Sequence, residues 1–418
     1  MLSPEGCNRQ ETALVGAVPS KPENEHGKWK KTNLESSPSD DSLIRGGPFY
    51  TFQRVTGVVR PDRWDSQRQL IFAVAVGWVP LLLITLLFQR ESVMSFLEDY
   101  RIHARMLIAV PVLLLGQRVV ETRFLKAVKH LRDAHLLADA DLAREHEIMV
   151  GLRQLRDSVL PELIILLLVI VHTSLSFSKL IDATPWLATA TGTSLRLTPA
   201  GWYAVLVSAS IFQLLMGLSL WKWLLWSIFA FRLSRVSLNL VPIHSDQHGG
   251  LGFLSMMANG FAPVSFAATA VIAAQWRHEI LHNHAHLMNF KYPAIALVVI
   301  VLALAILPLV FFVPPLSTLR RKGILEYSTL GQIQTTEFDQ KWIAHRAGHE
   351  PEVLTEMESS NVIDFSAVYD RVKQLRPLLV DKRTLIPLAL SIVIPALPMI
   401  LAEVPIAVAV KDLMKALR

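Results

Sequence analysis

Apolar runs long enough to cross a bilayer, repeated along the chain, decide what this sequence can fold into. A helical span needs about 20 predominantly apolar residues. Inside lipid every backbone amide must find its partner within the protein, so such runs read as helices. Seven stretches meet or approach that length: Leu70–Phe88, His103–Val120, Val159–Phe177, Ala200–Leu233, Leu251–Trp276, Pro293–Pro315 and Leu385–Leu401. The expected fold class is therefore all-α, a polytopic transmembrane helix bundle of about seven spans. Only 18% of the residues are charged and 52% are apolar, against about 25% charge in a soluble domain. That balance excludes an ordinary cytosolic enzyme.

The spans differ in quality. His103–Val120 is interrupted by Pro111 and carries Arg105 and Arg118, which must snorkel outward or pack inside a bundle. Ala200–Leu233 is longer than a bilayer requires. Leu251–Trp276 is Ala-rich and marginal, with Asn259, Gly260 and Pro263 expected to bend it. Residues 1–50 are polar without apolar period and read as a disordered tail. Met1–Lys31 lacks the basic-then-apolar pattern of a cleaved signal peptide. Cys7, the single cysteine, rules out an intrachain disulfide and any Cys-based metal cluster.

Charge orients the bundle. Arg54, Arg60, Arg63 and Arg68 precede the first span, and Arg118, Arg123, Lys126, Lys129, Arg132, Arg144, Arg153 and Arg156 lie between the second and third. Only Lys179 and Arg196 lie between the third and fourth, whereas Arg320, Arg321 and Lys322 follow the sixth. The positive-inside rule then sets the N-terminus in the cytoplasm and the C-terminus outside. Trp186, Trp202 and Trp276 fall at the deduced outer interface. Two helical cytoplasmic elements are expected: a hairpin at 121–158, and residues 316–383, which begin as an extension of the sixth span and include a helix at Asn361–Leu375. After the last span, Glu403–Leu417 reads as an amphipathic helix on the outer surface. The cytoplasmic basic residues alternate with acids, which suits anionic lipid headgroups and not a nucleic acid. A homo-oligomer is compatible with all of this.

Leu240–Leu254 reads LVPIHSDQHGGLGFL. It resembles a family of uncharacterised bacterial multi-pass inner-membrane proteins whose pattern here is LVPxHPDxxGGLGFL. Asn289-Phe290-Lys291, Leu325-Glu326-Tyr327, Phe338-Asp339-x-Lys341-Trp342 and the Arg376-Pro377 region are similar to the same family. Ser245 stands in for the usual Pro and His248 for a small residue. The resemblance implies a bacterial inner-membrane protein and carries no activity.

Three groups of residues are candidates for chemistry. His278-Glu279-Ile280-Leu281-His282 matches H-E-x-x-H, and His286 follows, so His278, His282 and His286 are candidate zinc ligands. The string sits at a deduced surface with no downstream acidic ligand, so a polar interfacial loop is favoured and proteolysis is disfavoured. In the turn between spans four and five, His244, Asp246, Gly249 and Gly250 form a candidate anion-binding turn, with a shaped structural turn as the favoured alternative. Asp246 or Ser245 is also expected to cap the next helix. Third, Gln117, His172, Gln213 and Lys222 are polar groups at membrane depth and candidate lining for a solute path. For Lys222, snorkelling beside Trp221, Trp223 and Trp226 is the favoured alternative. No Walker loop, dinucleotide fingerprint or nucleophile elbow is found, so no enzyme and no cofactor are expected, zinc at the histidine string excepted. A small-solute transporter or channel is favoured over a non-catalytic scaffold, with a metal-binding protein as the third reading. A cavity bordered by His172 and Gln213 is the feature that separates the first two.

Overall fold

The computed structural model describes residues 42–60, 66–137, 141–177, 184–191, 194–341 and 356–403. Among the described residues, six helices are long and apolar enough to cross a membrane: α2 Ser66–Phe88, α3 Tyr100–Asp133, α6 Pro199–Leu233, α7 Gly252–His282, α8 Leu287–Val310 and α11 Lys382–Glu403. A seventh is counted when the bent pair of α4 Leu142–Asp157 and α5 Val159–Phe177 is taken as one span. Around them lie α1 Pro48–Val55, α9 Val313–Asp339 and α10 Glu356–Gln374. The one sheet among the described residues is an antiparallel hairpin, β1 Ala188–Thr191 with β2 Ser194–Leu197. The chain is an all-α multi-pass bundle. Helix α6, 35 residues and about 52 Å long, joins the end carrying the β-hairpin to the end carrying the 234–254 turn. We call these the hairpin end and the turn end.

Pro111 does not break the second span. Proline cannot donate to the carbonyl one turn back, and the helix absorbs this by widening to a π-turn over Ala104–Ala109 before running on to Asp133. Helix α6 widens in the same way at Ala204–Ser208. The two π-turns lie at the same end of the bundle. Such turns re-aim side chains and recur at functional sites.

Helix α7 explains its own weak hydropathy. It packs against α3 and α11 and is the most buried of the spans, so small residues that admit close neighbours serve it better than large ones. Two 3₁₀ turns, at Gly252–Leu254 and Asn259–Phe261, supply the expected irregularity. A Cβ at Gly116 of α3 would lie 2.4 Å from the Cβ of Pro263 in α7. Gly116→Val is therefore expected to force the two helices apart and lower stability by about 1–3 kcal/mol, read as a fall in the melting temperature of the detergent-solubilised protein. An unchanged melting temperature would mean that this contact yields freely. Toward the turn end, Phe124, Trp226 and Phe229 make edge-on contacts at 5.3 and 6.1 Å and fill the core between α3 and α6.

Two sequence expectations change. The tail is ordered earlier than residue 50: Leu43 and Ile44 are buried. The Leu43 N–H donates to Glu121 Oε2 at 3.2 Å, Gly47 N–H to Asp157 Oδ1 at 3.0 Å and Phe49 N–H to Glu162 Oε2 at 2.7 Å. Three acids of the bundle thus satisfy the backbone at and just before the start of α1, which a composition-based reading cannot see. Second, α9 is not a continuation of α8. The chain breaks at Phe311-Phe312, and Pro314-Pro315 open the new helix. Helix α10 ends before Pro377, as that residue demands. Residues 404–417 of the expected outer helix lie outside the described residues.

Candidate functional site

At the hairpin end, α3, α5 and α6 diverge around an open cavity of about 190 Å³. Its polar lining comes from Asp99, Arg101, Arg105, His172, Thr173, Gln213 and Gln275. Both π-turns contribute: Arg105 from that of α3, Ala204 and Val205 from that of α6. Of the residues proposed as path lining, His172 and Gln213 meet here, the Gln213 amide donating to His172 Nδ1 at 3.0 Å.

One wall is tightly built. Asp99 caps α3 from the position just before it and is buried. It accepts bonds from the Arg101 N–H at 3.1 Å, from Arg101 Nε and Nη2 at 2.9 and 2.8 Å, and from the Trp186 indole N–H at 3.0 Å. Trp186 stands edge-on to Phe96 at 5.1 Å. Thr198 then ties the loop to α6, donating to Trp186 O and accepting from Gly201 N–H. Trp186 is therefore a buried anchor and not a member of an interfacial belt: its indole N–H has a buried carboxylate to bond, which outweighs the attraction of headgroups.

The rest of the polar lining is less satisfied. Arg105 makes no hydrogen bond or ion pair among the described residues. Thr173 Oγ1 and Gln213 Oε1 are buried polar atoms with no partner. The charges of Asp99 and Arg101 cancel, so among the described lining residues Arg105 leaves a positive excess.

Gln117 and Lys222 meet elsewhere, toward the turn end. Lys222 Nζ donates to Gln117 Oε1 at 3.1 Å, and both line a small pocket with Glu162, Arg45 and the segment Ile44–Gln53. Lys222 thus turns inward and does not snorkel, because Gln117 and neighbouring acids receive it. The pocket holds about 30 Å³, room for one water. Between the two polar groups, Met106, Ala109, Val110, Leu113, Leu215 and Leu218 form a buried apolar layer. The four predicted lining residues therefore form two pairs, one open and one closed. Asp99 and Glu121 were missed by sequence reasoning. The spacing Asp99-x-Arg101-x-x-x-Arg105, which puts two arginines one helical turn apart beside an acid, was the available signal.

The other two candidate groups have different surroundings. In the His244–Gly250 turn, Asp246 accepts backbone N–H bonds from His248, Gly250 and Gly252 at 2.8, 3.2 and 2.8 Å. The cap position of α7 is Leu251 and not Ser245 or Asp246; Asp246 instead holds the turn and receives the N–H of Gly252, the first residue of the helix, so its carboxylate occupies the donors that an outside anion would need. Gly249 and Gly250 adopt φ of 65° and 100°, which favours glycine. His248 is buried and accepts no part in an open site: its Nδ1 meets Arg376 O at 2.9 Å, tying the turn to the linker before α11. At the end of α7, the rings of His278 and His282 stack at 4.3 Å and 22°. In-plane ring nitrogens of stacked imidazoles do not converge on one ion. Among the described residues no group of three or more His, Cys, Asp or Glu side chains is arranged to hold a metal.

A larger recess of about 370 Å³ between α3, α7 and α11 is mainly apolar, and its Arg277 is stacked 3.6 Å over the Tyr100 ring. It offers less polar recognition than the hairpin-end cavity. No family model, no curated protein and no solved structure matches the chain.

Proposed function

We propose that this membrane-embedded protein is a small-solute transporter or channel-like protein whose path begins in the hairpin-end cavity. The observation that carries the reading is the cavity itself. Its roughly 190 Å³ is bordered by His172 and Gln213 from two spans and set at two π-turns. Scaffolds have no use for unsatisfied polar groups within their spans, whereas solute paths require them. The second polar pair, Gln117 and Lys222, lies further along the same two helices, α3 and α6, behind the apolar layer and beneath the segment beginning at Leu43. The arrangement corresponds to a state open at one end and shut at the other.

The distribution of arginines supports a bacterial inner-membrane location with the turn end and the N-terminus in the cytoplasm and the C-terminus outside. The hairpin end then faces outward, and anionic headgroups are the expected partners of the turn end. A scaffold is the second reading. It is favoured by the exposed apolar residues Leu325, Leu330, Ile333 and Ile363 on α9 and α10.

Cys7 is the only native cysteine, so a Cys7→Ser background allows single reporters. Gln213→Cys is expected to react with a membrane-impermeant maleimide in intact membranes. Leu225→Cys, at a fully buried position, is expected to react only after denaturation. A Gln213→Cys that reacts only after denaturation would remove the solute path and leave the scaffold.

A further inference from the structure

We infer that the hairpin-end cavity is a binding site for a small monoanion, with Arg105 as its charge partner. The inference rests on the transport reading above and names the substrate class.

A charge inside a bundle is costly unless it is paired. Asp99, the acid among the cavity's lining residues, is engaged by Arg101 Nε and Nη2, by Trp186 and by Thr184. Arg105 has no hydrogen bond or ion pair among the described residues and faces the open volume. The protein has thus neutralised one arginine and left the next, one helical turn away, lining space a solute can fill. Guanidinium donors in a planar fork match carboxylates and tetrahedral oxyanions two bonds at a time.

Two further orphans fix the ligand's character. Thr173 Oγ1 and Gln213 Oε1 are buried without partners beside the same cavity. The threonine hydroxyl can donate to a second anion oxygen. The Gln213 carbonyl accepts, which fits a ligand bearing a hydroxyl or N–H group as well as its charge. The volume is many times the roughly 10–15 Å³ that one water needs, so a few-carbon acid or a single oxyanion fits. One positive charge in excess selects a monoanion.

The test uses full-length protein in detergent at constant ionic strength. Thermal stabilisation is titrated with methanesulfonate and acetate, with their neutral isosteres dimethyl sulfone and acetamide, and with methylammonium. Both anions are expected to raise the melting temperature, and the neutral isosteres and the cation to leave it unchanged. Arg105→Gln is expected to weaken apparent anion affinity about tenfold or more, and Arg105→Lys to retain part of it. Gln213→Glu, which leaves Arg105 in place and supplies an internal carboxylate, is expected to abolish the response; it serves if Arg105→Gln does not fold. An absent anion response in the parent, an equal response to the isosteres, or a response unaltered by both Arg105→Gln and Gln213→Glu overturns the site. Methanesulfonate flux into proteoliposomes separates the two ideas. Arg105-dependent binding without flux keeps the site and removes transport, and flux that Arg105→Gln leaves unchanged does the reverse.

Discussion

Asp99→Asn is expected to lower the stability of the protein at neutral pH by about 3–5 kcal/mol, because it breaks the pair between a buried carboxylate and the half-buried Arg101. The carboxylate takes four hydrogen bonds from Arg101 and Trp186, and only Oδ1 survives as an acceptor in the amide. Burial pushes the Asp99 carboxyl up, but the Arg101 bonds and charge and the Trp186 N–H outweigh it, so the group titrates below its ordinary value. A lowered carboxyl pKa contributes stability above the unfolded value and loses it as pH falls through the folded one. The melting-temperature gap between parent and Asp99→Asn should therefore be full at pH 7 and narrow below about pH 4. A gap that is absent at pH 7, or that widens in acid, would show that Asp99 does not hold this wall. Trp186 emission offers a local reading, since loss of the bond should move the indole toward water.

Asp246→Ala is expected to cost about 2–4 kcal/mol by removing one carboxylate from three backbone donors at once. Burial raises the Asp246 carboxyl, and the N–H bonds from His248, Gly252 and Gly250 overcome it, so it too is held below its usual range. Its contribution is present at neutral pH and is lost only in acid, as for Asp99. The turn also fastens the linker before α11, with Arg376 N–H donating to Gln247 O at 2.8 Å. Hydrogen exchange should therefore rise over 375–381 as well as over 244–252. Exchange confined to the turn would mean that the linker is held independently.

Much of the architecture was already written in the order of residues. Runs such as Leu70–Phe88 and Pro293–Pro315 are apolar on every side, and no tertiary context can make such a segment anything but a buried or lipid-facing helix. Pro377 stops α10 by its own ring, and Asp246 holds its turn through bonds a few residues long. These are local effects, and local effects can be read along a line.

The site obeyed a different logic. His172 and Gln213 are 41 positions apart, and Gln117 and Lys222 are 105 apart, yet each pair bonds. A list of polar residues within spans could nominate these four and could not pair them. Lys222 and Arg105 are both cations within apolar spans, for which snorkelling is the sound expectation from sequence. Which way each turned depended on what the neighbouring helices presented: Gln117 and acids for Lys222, and an open cavity for Arg105. The same holds for Trp186, drawn inside by Asp99, and for Leu43-Ile44, whose polar surroundings in sequence concealed a bundle surface that receives them. Hydropathy and helix-breaking are properties of a residue and its near neighbours, so the sequence alone determined the all-α multi-pass bundle. The partner of an inward-facing polar group is set by packing between distant segments, and only the tertiary structure decided which charges are neutralised and which one is left facing the cavity.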